Sequence, residues 1–258
     1  MESGIQSYLR IAASHQRDTE RIGPFIATFS RSNDNPFLNY AIPDDNATPS
    51  PADVAALIVA YEKRSRKPRL EYVPQLAPAV EEALINGGFS IEGHLPLMTC
   101  VPGAEQIPVP SGIELVLPVS DADLLATVAV QNEAYGAPPP DYSAIAGLRN
   151  SLEAGGIAVL ARITATGEPV GAGVCTVPSH QTTEIAGIGV RSAFRRRGIA
   201  GALTSRLVQV AFSKGISLPF LMAAHEAEQR IYARAGFAVV GEILHISHFK
   251  PPIPSLSK

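Results

Sequence analysis

One order of elements is legible twice along this chain. Residues 37–99 read as a strand, a helix, a strand, a helix ending NGGF and a strand. Residues 182–248 repeat that order with similar spacing, the second helix now ending ARAGF. The repeat constrains the chain to two related α/β units. The boundary is placed in VPGAEQIPVPSG, residues 101–112, whose three prolines and two glycines leave little room for a regular element. Domains of 1–110 and 111–258 follow.

In the first half a helix is expected around Ile5–Ala13 and a strand at Phe25–Phe29. FLNYAI, residues 37–42, reads as a strand. Ser50 and Pro51 mark the start of a helix with Val54, Leu57, Ile58 and Tyr61 on one face. PRLEYVP is a short strand, LAPAVEEALINGGF a helix closed by Gly87 and Gly88, and SIEGHLPLMT a strand.

Beyond the boundary the pattern is denser. IELVLPV opens with a strand, two helices follow at DADLLATVAVQNEAYG and Tyr142–Glu153, and three strands follow at GIAVLARIT, PVGAGVCTV and TTEIAGIGV. RRRGIAGALTSRLVQVAFSKG reads as a long helix ended by Gly215, with Ile199, Leu203, Leu207, Val210 and Ala211 in one apolar stripe. SLPFLMAA, EAEQRIYARAG and FAVVGEILHISHF are then strand, helix, and strand or hairpin. Helices segregated from runs of strands in the order βααβββαβαβ call for a mixed, mostly antiparallel central sheet flanked by helices on both faces.

Composition narrows the partners. Apolar residues make up 46% and charged residues 17% of the 258, with a formal charge of −3, so a packed core is expected and a nucleic-acid partner is not. Cys100 and Cys175 are too few for a disulfide framework or a cysteine-rich zinc site, so no metal is expected and a reducing cytoplasm is the default location. No apolar run reaches the roughly 18 residues that span a bilayer, and MESGIQSYLR does not read as a secretion signal.

The stretch most suited to chemistry is Arg195–Gly201, RRRGIAG, entered from a strand and opening a helix. A helix N-terminus presents unpaired N–H groups and the positive end of a dipole. Gly198, Ala200 and Gly201 permit close approach of a phosphate, and Arg195, Arg196 and Arg197 add charge-assisted contacts, a combination suited to a diphosphate. In the first copy the corresponding turn, PDDNATPSPAD, is acidic and broken by proline, so an anion site is expected only in the second.

EIAGIGVRSAFRRRGIAGAL, followed about thirty residues later by IYARAGF, resembles the acetyl-CoA site of the GNAT superfamily of N-acetyltransferases. The family's loop, Gln/Arg-x-x-Gly-x-Gly/Ala, is matched by Arg195, Gly198 and Ala200, and the resemblance covers roughly residues 112–250. It implies a tandem fold whose first copy is degenerate, and transfer of an acetyl group from acetyl-CoA to an amine of a small molecule or peptide. It further implies that the strand before the loop splays from its neighbour, so that Ile188, Gly189 and Val190 offer backbone groups to the pantetheine arm and an N–H to the thioester carbonyl. Ile199 and Gly201 would border the diphosphate. Tyr232 corresponds to the tyrosine that protonates the leaving thiolate, a role a phenol fills because its pKa near 10 lies close to that of a thiol; its place between Ile231 and Ala233 also fits a packed core. Leu84 stands at the equivalent position of the first copy. Glu184 is the leading candidate base, with His180 and His225 as alternatives. The chain departs from the family in carrying His225 where many relatives have asparagine and Glu228 in place of a common alanine; His225 is then a candidate contact to the pantetheine.

Other site patterns fail. GAGVCT and GIGVRS lack the third glycine of a dinucleotide loop, HEAEQ lacks the second histidine of a zinc helix, and no phosphate loop of the nucleotide-hydrolase type occurs. A sensor or interaction module that binds acyl-CoA without turnover would share the same loop. For the first unit, covering the acceptor site and mediating a homodimer are both compatible with the sequence.

Overall fold

Proline, glycine and short polar side chains set most of the element boundaries in the computed structural model, which describes residues 2–15, 17–31, 34–103 and 106–249. The first half contains α1 (Glu2–Ser14), β1 (Asp18–Ile22), β2 (Phe25–Phe29), β3 (Ala41–Pro43), α2 (Pro51–Glu62), β4 (Arg69–Tyr72), α3 (Pro78–Asn86) and β5 (Phe89–Cys100). The second contains β6 (Ile113–Val116), α4 (Asp121–Tyr135), α5 (Tyr142–Glu153), β7 (Ile157–Ile163), β8 (Pro169–Cys175), β9 (Thr182–Val190), α6 (Ile199–Ser213), β10 (Leu218–Met222), α7 (Glu226–Arg234) and β11 (Phe237–His248). That second series is the βααβββαβαβ order expected.

Packing groups these elements into two units, one of Met1–Pro96 with Gly241–Lys258 and one of Leu97–Val240. These limits differ from a single cut at 110/111 because β5 and β11 are long: each starts in one unit and ends in the other. In the first unit β4 pairs antiparallel with the end of β11, Leu244 opposite Tyr72 and Ser247 opposite Arg69. In the second, β10 pairs antiparallel with the end of β5, Phe220 opposite Thr99 and Met222 opposite Leu97. The last strand of each repeat thus completes the sheet of the other unit.

The first unit orders its strands β1-β2-β3-β4-β11, with β3 and β4 parallel. Ile5, Leu9, Phe25, Ile42, Leu57, Leu70 and Leu84 are buried there. Ser50 caps α2 as its spacing predicts: its hydroxyl accepts from the Asp53 N–H while the Asp53 carboxylate accepts from the Ser50 N–H. One reading is corrected, and one strand is added. FLNYAI is a strand only at its end; Asn35 and Pro36 start a short 3-10 turn over Pro36–Leu38, and the buried Asn39 side chain accepts from the Ser30 N–H and Arg66, which leaves Ala41–Pro43 for the ladder. Asp18–Ile22 is a strand although DTERI has no apolar alternation, because it pairs with β2 around a turn in which Gly23 takes φ +51°.

The second unit orders its strands β5-β10-β9-β8-β7-β6, antiparallel except for β9 beside β10. Alternate residues serve opposite faces. Leu160 and Ala172 pack with Val130 of α4, whereas Val159 and Ala161 pack with Leu203 and Leu207 of α6. At Gly171 a Cβ would lie 3.0 Å from Ile199 and 3.1 Å from Leu203, a tight fit that glycine relieves where α6 seats on the sheet. The stripe expected on α6, Ile199, Leu203, Leu207, Val210 and Ala211, is buried throughout.

A buried ionic cluster ties the strands of the first unit together. Arg69, 1% exposed, is ion-paired with Glu71 and donates through Nε to Glu92 at 2.9 Å. Glu92 also accepts from Lys67 at 2.7 Å and from the Ser247 hydroxyl of β11 at 2.8 Å. Burial works against the Glu92 charge, but the hydrogen bonds from Lys67, Ser247 and Arg69 outweigh it and bring the carboxyl down to about 2. A folded-state value below the ordinary 4.5 contributes stability that is complete above about pH 4.5 and is lost as pH falls toward 2. Glu92→Gln is therefore expected to lower stability at pH 7 by on the order of 2 kcal/mol and to flatten the acid limb, so that urea midpoints of variant and parent converge as pH falls from about 4.5 toward 2.

Candidate active site

The site is built from one irregularity in β9. Val174 pairs with Ala186 and Ala172 with Gly189, so the single residue Gly173 stands opposite both Gly187 and Ile188. Gly187 absorbs this bulge at φ +61°. The carbonyls it turns outward meet α4: Gly187 O accepts from Gln131 Nε2 at 2.9 Å and Ile188 O from the Tyr135 hydroxyl at 3.2 Å. On its other side β9 is accompanied by β10 only over Thr182–Glu184. From Ile185 onward the two strands diverge.

After β9 the chain makes a 3-10 turn at Ser192–Phe194 and two residues in left-handed conformations, Arg196 at φ +62° and Gly198 at φ +83°. Arg195 fastens this loop: its Nε donates to Val190 O at 3.0 Å and its Nη2 to Ala134 O at 3.3 Å. Gly198 stands at the N-cap of α6 and no side chain caps the helix, so the first amides of Ile199, Ala200 and Gly201 meet no capping group. In α2 the same helix end is closed by Ser50 and Asp53.

A cavity of about 950 Å³ runs beside these elements. Ile188, Gly189, Val190, Arg195, Arg196, Gly198, Ile199, Ala200, Gly201, His225 and Tyr232 all contribute to its wall. Three candidates do not. Arg197 donates to Ala193 O at 2.9 Å and stacks over Phe194 at 5.1 Å. Glu184 sits where β9 still pairs with Phe220, its backbone bonded to Thr176. His180 lies exposed in the turn before β9, outside the wall.

Tyr232 is half-buried, its ring 6.3 Å from that of Phe237. Burial, and then the charge of Glu228 and the neighbouring Tyr135, raise its phenol well above the ordinary value, so it holds its proton at neutral pH. The Tyr135 hydroxyl is drawn in against Ile188 although much of its ring is exposed; burial and Glu228 raise it too. Sequence reasoning did not place Glu228 or Ile107 in the wall. Glu228 follows His225 by three residues and precedes Tyr232 by four, a helical stripe that the spacing alone would have given. Ile107 lies in the segment expected to be a linker, yet its N–H donates to Ser205 Oγ at 3.2 Å and its side chain lies against Gly201; no periodicity marks it.

Residues 125–237, within the second unit, match the model of the acetyltransferase (GNAT) family. No curated protein matches the chain. Among solved structures, a GCN5-related N-acetyltransferase from Kribbella flavida is 24% identical, with 97% of this chain and 96% of that one covered at a TM-score of 0.81. A GCN5-related N-acetyltransferase from Sphaerobacter thermophilus is 20% identical over 89% of this chain and 78% of its own, at 0.66. A tandem GNAT protein from the clavulanic acid biosynthesis pathway is 12% identical over 88% and 79%, at 0.61. These likenesses are of fold. Their extent takes in the first unit and is consistent with a tandem arrangement.

The bulge is testable as a structural element. At Gly187 a Cβ would lie 2.4 Å from Gln131 Nε2 on a backbone that side chains rarely adopt. Gly187→Ala is expected to cost about 1–3 kcal/mol, read as a lowered midpoint in chemical denaturation.

Proposed function

We propose that the second unit transfers an acetyl group from acetyl-CoA to a primary amine of a small molecule or peptide, by direct attack of the amine on the thioester. The observation that carries this reading is the open N-terminus of α6 on the same cavity as the bulged β9 and the protonated Tyr232. The amides of Ile199, Ala200 and Gly201, with Arg196 beside them, would hold the donor's diphosphate. Arg195 serves by fixing the loop to β9 and α4. Ile188, Gly189 and Val190 would hold the pantetheine arm through their backbone, with one N–H directed at the thioester carbonyl as it gains negative charge. His225 at the N-cap of α7 lies on the path of that arm. Tyr232 would donate its proton to the departing sulfur, and Glu184, set back from the wall, would act on the amine only through a water relay.

Isothermal titration with acetyl-CoA tests the donor site: one-site binding is expected, weakened roughly tenfold in Arg196→Ala. Tyr232→Phe is expected to leave donor affinity within about threefold and to lower kcat by about 100-fold, followed as free thiol release across an amine panel. Absence of acetyl-CoA binding by the folded chain would sink the reading, and binding without thiol release would mark a sensor.

A further inference from the structure

Glu228 is the only carboxylate among the described residues that line the cavity, against Arg195, Arg196, Arg230 and Arg234. Two of these cations are engaged elsewhere, Arg195 on the carbonyls of Val190 and Ala134 and Arg230 in an ion pair with Glu226 at 2.5 Å. Glu228 lies one helical turn before Tyr232 on α7 and lines the same cavity as Tyr232 and Tyr135, whose hydroxyl donates to Ile188 O at 3.2 Å; its charge raises both phenols. Its Oε2 accepts from the Ala224 N–H at 2.8 Å, which orients the carboxylate, while Oε1 takes no bond from the described residues. His225 shares the wall on the same helix.

From this arrangement we infer that Glu228, with Tyr135 and Tyr232, receives the acceptor as an alkylammonium ion and that its carboxylate, in place of a water relay to Glu184, takes the proton that frees the attacking amine. The inference rests on the acyl-transfer reading above and names its substrate class. A carboxylate on a cavity wall shared with two tyrosines favours a cation, chiefly through ion pairing. The same carboxylate repels an acceptor that carries its own carboxylate next to the amine, which excludes free α-amino acids reacting at their α-nitrogen.

The step balances on these residues. R–NH3+ gives one proton to Glu228 Oε1, and the freed lone pair forms the N–C bond to the thioester carbonyl carbon. The C–S bond breaks with its electron pair on sulfur, which takes the Tyr232 proton to become the CoA thiol. The surplus proton on the new amide nitrogen passes to the Tyr232 phenolate, and Glu228 releases its proton to solvent, so the products are an amide, a thiol and one proton.

The test is Glu228→Gln, whose amide oxygen still accepts from the Ala224 N–H, assayed with acetyl-CoA and either butylamine, an ammonium ion at pH 7, or aniline, neutral at pH 7. With butylamine, kcat/KM is expected to fall about 100-fold at pH 7 and to recover as pH rises toward 10, where the free amine needs no base. With aniline the change is expected to stay within about threefold, and acetyl-CoA affinity is expected to be unaltered. Loss of butylamine transfer without recovery at high pH overturns the inference, as does an unchanged rate or an equal loss with both amines. Wild-type protein that binds acetyl-CoA but releases no thiol with butylamine overturns it too, without touching the donor site. Failure to bind acetyl-CoA at all would instead overturn the underlying reading.

Discussion

Gly187 lets β9 carry one residue more than β8 between two regular pairings, and the rest of the site depends on that mismatch. The bulge bends β9 as β10 leaves it, so backbone groups that a flat sheet would consume are turned toward a cavity. The same bend brings Gly187 and Ile188 under α4, where Gln131 and Tyr135 hold their carbonyls. Arg195 then anchors the following loop to Val190, at the end of the bent strand, and to Ala134, at the end of α4. Strand, loop and helix are thus fixed to one another by side chains acting on backbone carbonyls, and the N-terminus of α6 emerges from them without a cap.

The two repeats close the N-termini of their corresponding helices differently. Both place a helix after a strand and a turn, but Ser50 and Asp53 satisfy the first amides of α2, whereas Gly198 offers no side chain to those of α6. A reciprocal capping box supplies the negative group that an external anion would otherwise supply, and so removes the reason for one to bind. The tyrosine position follows the same division. Leu84 is fully buried against its own unit, while Tyr232 keeps its hydroxyl at a cavity wall.

The first unit invests instead in its own cohesion. Arg69, Glu71, Glu92, Lys67 and Ser247 link β4, the start of β5 and the end of β11 through charged hydrogen bonds. A buried guanidinium is tolerated only with such partners, because an unpaired charge in that position would cost several kcal/mol, about 3–5 when one partner is removed. The consequence is that the last strand of the chain is selected for this sheet by the Ser247 hydroxyl as well as by its apolar side chains.

Sequence alone determined whatever depends on local pattern. The element order of the second unit follows from periodicity, the caps at Ser50 and at Gly215 from residue type, and the turn that opens α6 from closely spaced small residues where a strand gives way to a helix. Tertiary structure decided what depends on partners distant in the chain. Asp18–Ile22 became a strand by pairing with β2, part of FLNYAI was lost to the contacts of Asn35 and Asn39, and β5 and β11 ended in sheets that no local signal assigns. It also separated Glu184 from the cavity and put Glu228 there. A strand's spacing states which face a residue is on, but how far the strand runs before its neighbour diverges is set by packing against helices elsewhere in the chain.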